Sequence, residues 1–136
     1  MRLAFFDSLE QTLRDEPDRS VDWLVRLHEE LGRRFTAIMP SKTRDIADRL
    51  DSELFKQQLS AGAYGSEQLG PLIEYTWALL RMACAPDMDV EVTAAYDQVA
   101  GALVPGAAFS TVVPLYLRHA HLLLDEIMHR IHRFRE

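Results

Sequence analysis

Cysteine occurs once in the 136 residues, as Cys84. A single thiol excludes an intrachain disulfide and a multi-cysteine zinc site, and it suits a reducing compartment. Hairpin dipeptides such as Asn-Gly do not occur, and β-branched residues are scattered, so nothing reads as a strand. The longest uncharged run, Gln98 to Leu117, approaches spanning length but contains Gly101, Pro105, Gly106 and Pro114. Those breakers mark a buried turn between helices, and no membrane span is expected. The N-terminal "MRLAFFDSLEQ" meets Asp7 and Glu10 too early for the apolar core of a signal peptide, which points to a cytoplasmic location.

Positive charge is also short, at 15 basic against 21 acidic residues for a net −6, a poor match to a nucleic-acid backbone or an anionic membrane. The basic residues Arg33, Arg34, Lys42, Arg44, Arg49 and Lys56 gather in the first half without interleaved aromatics, so nucleic acid is not an expected partner. Neither a phosphate-binding glycine loop nor a G-x-S-x-G elbow is present, because the glycines lie singly or at turns.

What remains is 48% apolar residues spaced three and four apart almost throughout. Leu3, Phe6, Leu9 and Leu13 predict a first helix that ends before Pro17. Ser20 is the expected N-cap of a second, whose stripe is Trp23, Leu24, Leu27, Leu31, Phe35 and Ile38, stopped by Pro40. Ser41 or Thr43 caps a third segment carrying Ile46, Leu50, Leu54, Phe55 and Leu59, with a bend near Asp51. Gly70 and Pro71 predict the start of a strongly apolar helix, Leu72 to about Ala85, ended by Pro86. Asp87 or Asp89 caps the next, which turns Val92, Ala95, Tyr96, Val99 and Leu103 inward, and a last helix runs from about Ala107 to Phe134. The expected fold is all-α, an irregular bundle of six or seven helices forming a single domain over residues 1–136.

Three places invite a chemical reading. In "RMACAPDMDVEV" the carboxylates Asp87, Asp89 and Glu91 begin like a calcium loop, but Val92 and Gln98 occupy the positions where that loop needs glycine and a bidentate glutamate. Carboxylates at a helix start, favoured by the macrodipole, are the simpler account, and a partner-binding role is the alternative. Cys84 lies at the end of a helix, where the dipole disfavours a thiolate, so it reads with Pro86 as part of a buried structural junction. On the last helix His121, Asp125, His129 and His132 fall on one stripe, and Glu126 to His129 has the E-x-x-H spacing of di-iron bundles. A di-iron site needs a second such motif, so the stripe reads as a solvated polar flank, with transition-metal binding as the alternative. His28 in "LHEEL" lacks the second histidine of H-E-x-x-H and gives no metalloprotease.

The order of these pieces resembles the T-complex protein 11 family from about Asp22 to Val92: "WLVRLHEELGRRFTAIMPSK", then "DIADRLDSELFKQQLSAGAY", then an apolar helix closing in cysteine-alanine-proline and an acidic helix start. Matching positions include Pro40, Ile46, Leu50, Asp51, Leu54, Gln58, Gly62, Leu80, Cys84, Pro86, Asp89 and Glu91, while Met88 stands where the family has arginine. The resemblance implies an intracellular, non-enzymatic helical interaction or regulatory protein without a cofactor, associated with cyclic-AMP-dependent kinase signalling and, in animals, with sperm function. The expected partner is a protein, met through Asp87, Asp89 and Glu91. Trp23, Trp77, Tyr96 and Phe109 also supply large apolar surface, which makes self-association into a homo-oligomer a further expectation.

Overall fold

The computed structural model describes residues 17–60, 66–104 and 109–135. The first predicted helix lies outside these residues, as do Gly62, Pro105 and Gly106. All regular structure in the described chain is helical: α1 (Pro17–Ile38), α2 (Thr43–Arg49), α3 (Ser52–Ser60), α4 (Ser66–Ala83), α5 (Asp89–Ala102) and α6 (Phe109–Arg135). Short 3-10 turns at Pro40–Lys42 and Pro86–Met88 join α1 to α2 and α4 to α5. With α2 only 7 residues long, the bundle rests on five substantial helices in the described chain, fewer than expected. None is long and apolar enough to cross a membrane.

Two helix starts and two caps differ from their expected places. Helix α1 begins at Pro17, not after Ser20, because proline fits a first turn whose N–H groups have no helical partner. Helix α4 begins at Ser66 and runs through Pro71, which falls early enough to forfeit a single backbone bond while the added turn places Leu69 in the core, 1% exposed. Neither Asp87 nor Asp89 caps α5, whose N-cap is Met88 with no side-chain hydrogen bond. Likewise neither Ser41 nor Thr43 caps α2; the Thr43 hydroxyl donates back to the Pro40 carbonyl at 2.7 Å.

The bend near Asp51 is present. Its Oδ1 accepts from the backbone N–H of Glu53 at 2.9 Å and of Leu54 at 3.2 Å, so Asp51 is the N-cap that starts α3. This turn lets Ile46, Phe55 and Leu59 all reach Leu24, Leu27 and Leu31 of α1 in one core, while Leu54 is turned outward and half exposed. Helices α4, α5 and α6 form the rest of that core around Trp77, whose indole N–H donates to the Val92 carbonyl at 3.1 Å and whose ring meets Tyr96 and Tyr116. The buried Thr76 hydroxyl donates to the Leu72 carbonyl at 2.9 Å, so the 2.9 Å contact with Tyr116 is donated by the tyrosine.

Candidate functional site

The Arg81 to Val92 stretch forms the junction between α4 and α5. Ala83 ends the helix, Cys84 N–H still donates to the Leu80 carbonyl at 2.9 Å, and Pro86 opens the 3-10 turn. Cys84 is half-buried, not fully buried as expected, and its thiol leans on the Arg81 carbonyl at 3.6 Å. The three carboxylates diverge. Asp87 is held by Arg130 of α6 through two bonds of 2.7 Å, and Arg130 also donates to Glu126 at 2.9 Å. That guanidinium holds the Asp87 carboxyl below the usual carboxylate range. Asp89 lies 3.7 Å from Arg81, and Glu91 is exposed in the first turn of α5.

Between those two carboxylates Val90 is 80% exposed, and Met82, in the last turn of α4, is 55% exposed. Each thus presents an apolar side chain to water, Val90 between two acidic neighbours in sequence. Sequence spacing marked Asp87, Asp89 and Glu91 but not Arg130, because nothing local signals a partner 43 residues away.

The histidine stripe does not stay on one polar flank. His121 is fully buried at 0% exposure, Asp125 is half-buried, and His129 and His132 are exposed. Both ring nitrogens of His121 are engaged: Nε2 donates to the Leu27 carbonyl at 2.9 Å and Nδ1 accepts from Arg34 at 3.0 Å. The other end of Arg34 donates to Asp125 at 2.7 Å and touches the Met128 sulfur at 3.7 Å. This network pins α1 to α6 and takes Arg34 out of the basic cluster. Helical geometry explains the error: a residue at the edge of an apolar arc goes inside when a neighbouring helix supplies hydrogen-bond partners for it. No group of three or more His, Cys, Asp or Glu among the described residues is placed to share a metal ion.

His28, which gives no metalloprotease motif, is buried at 1% exposure. Its Nε2 donates to the Leu50 carbonyl at 3.1 Å, and its ring stacks on Phe55 with centroids 4.1 Å apart. Burial lowers its pKa to about 4 against the pull of Leu50 and the Asp51 charge. Nearby, the Tyr75 hydroxyl donates to Asp45 at 2.6 Å under the Arg49 guanidinium, and burial together with Asp45 raises its pKa. Of the large aromatics, Trp77 is buried, whereas Trp23 is 43% exposed beneath Arg26, 5.3 Å from the ring. The Phe109 side chain lies outside the described residues.

The described residues form an all-α helical domain in which Arg34, His28, Tyr75, Trp77 and Arg130 bridge neighbouring helices by side-chain hydrogen bonds. The chain belongs to the T-complex protein 11 family, whose model, described as T-complex protein 11, matches residues 1–113. The match extends on both sides of the 22–92 region that carries the resemblance. This is not a known enzyme family. No curated protein and no solved structure matches the chain.

Proposed function

We propose that this chain is a non-enzymatic helical interaction domain with a regulatory role, and that its partner surface is the α4–α5 junction. The observation that carries this reading is Val90, exposed between the exposed carboxylates Asp89 and Glu91 at the start of α5, with Met82 also exposed at the end of α4. An apolar centre with a charged rim is the usual anatomy of a protein contact, and this one suits a partner segment with apolar residues flanked by Lys or Arg. Asp87 contributes by fixing the junction to α6 through Arg130. The family resemblance supports a partner in cyclic-AMP-dependent kinase signalling, and a cytoplasmic setting goes with it.

The test is direct titration of the regulatory and catalytic subunits of that kinase against the protein and against an Asp89→Asn/Glu91→Gln/Val90→Ser variant. Saturable binding by one subunit, weakened tenfold or more in the variant with the helical circular-dichroism signal unchanged, supports the reading. Equal binding by variant and parent would remove the junction from the interface. No binding by either subunit would remove the kinase assignment.

A further inference from the structure

Helices α1 and α6 run in the same direction. The Leu27 carbonyl of α1 accepts from His121 of α6, and seven residues further along α1 the Arg34 guanidinium reaches Asp125 and Met128, further along α6. Both helices therefore finish at one end of the bundle, where α1 passes through the 3-10 turn at Pro40–Lys42 into α2. The bond from Arg130 to Asp87 brings the α4–α5 junction to the same end.

Charge is divided across that end. Residues 33–44 contain Arg33, Arg34, Lys42 and Arg44 and no carboxylate, and residues 127–135 contain three arginines and no carboxylate. Arg34 and Arg130 are spent on Asp125 and Asp87. The next carboxylate in the chain, Asp45, accepts from the Tyr75 hydroxyl at 2.6 Å. Arg33, Lys42, Arg44 and Arg133 form no ion pair among the described residues. On the junction side stand Asp89, 3.7 Å from Arg81, and Glu91, which has no ion pair among the described residues, with Val90 exposed between them. In a chain of net charge −6 this end thus joins an unpaired basic flank to an acidic flank with exposed apolar side chains.

We propose that this end pairs with the same end of a second copy of the chain. A two-fold rotation about an axis perpendicular to the bundle sets the basic flank of each copy against the acidic flank of the other, so each attraction is made twice. Complementary potentials of this kind orient two proteins as they meet. A purely anionic partner would engage the basic flank alone and leave Val90 in water. The inference rests on the reading of the α4–α5 junction as a contact surface, and names what that surface meets when no other partner is bound.

Sedimentation equilibrium of the full chain tests it. The expected result is a monomer–dimer equilibrium whose dissociation constant rises at least tenfold between about 0.1 M and about 1 M salt, as the screening length falls from about 10 Å to about 3 Å. Asp89→Lys/Glu91→Lys and Arg33→Glu/Arg133→Glu change exposed residues only, and each variant should be monomeric where the parent is dimeric, with helicity retained. An equimolar mixture of the two variants should recover the dimer, because each then offers the other opposite charge at both contacts. A parent that stays monomeric, a dimer indifferent to salt and to both variants, or a mixture that fails to pair would each overturn the proposal. The Arg33→Glu/Arg133→Glu variant keeps every junction residue, so its titration with the kinase subunits tests the partner reading separately from self-pairing.

Discussion

Arg34 on α1 and His121 on α6, 87 residues apart in sequence, meet through a 3.0 Å hydrogen bond from the guanidinium to Nδ1. The same guanidinium carries the ion pair to Asp125 at 2.7 Å with only 14% of its own side chain exposed. Partly buried, charge-assisted bonds of this kind contribute more than surface pairs. Arg34→Ala should therefore lower the unfolding free energy by about 2–3 kcal/mol, measured by urea titration. Arg34→Lys should recover only part of that, because an ammonium group cannot address both acceptors in the guanidinium's fixed fork. Full recovery by lysine would reduce the network to simple charge attraction.

Acid should weaken the fold through His28. Its pKa is about 4 in the folded chain against 6.5 for the unperturbed group, so the unfolded chain takes up a proton first as pH falls. Stability is complete above about pH 6.5 and declines as pH drops toward 4, by at most about 3 kcal/mol from this group. His119, whose pKa is also lowered by burial, acts in the same direction. Urea midpoints at pH 7.5 and 4.5 should differ less in His28→Phe than in the parent, and an equal difference would place the acid sensitivity elsewhere.

Gly32 lies inside α1, and a methyl group placed on it would meet nothing within 4 Å. The same holds for Gly101 in α5. Glycine inside a helix costs about 0.5–1 kcal/mol relative to alanine, so Gly32→Ala and Gly101→Ala should each raise stability by that amount. Thermal melting of the single and double variants tests this, and destabilisation by either would show that its site is tighter than its surroundings indicate.

Asp87→Asn should change the thermal midpoint little at neutral pH, because the Asp87–Arg130 pair lies at the surface, where solvent screens it. Its low carboxyl pKa means that any contribution is present at neutral pH and fades as acid protonates the group. If the junction is the partner surface, Asp87→Asn should instead act by loosening the turn and raising the partner's off-rate. A drop in stability comparable to that of Arg34→Ala would make the pair a structural anchor.

Local sequence pattern specified an all-α bundle, its inward stripes on α1 and α5, the proline stop after Ile38 and the bend near Asp51. These features follow from a 3.6-residue period, from the missing N–H of proline and from the capping chemistry of aspartate, all carried by neighbours in sequence. Only the tertiary structure decided that Trp23 faces water while His28 and His121 face inward, and that Asp87 answers to Arg130. Those outcomes depend on which helix lies alongside: a polar ring can be buried where a carbonyl such as that of Leu27 or Leu50 waits for its proton. Contacts of that range leave no periodic signature in the chain.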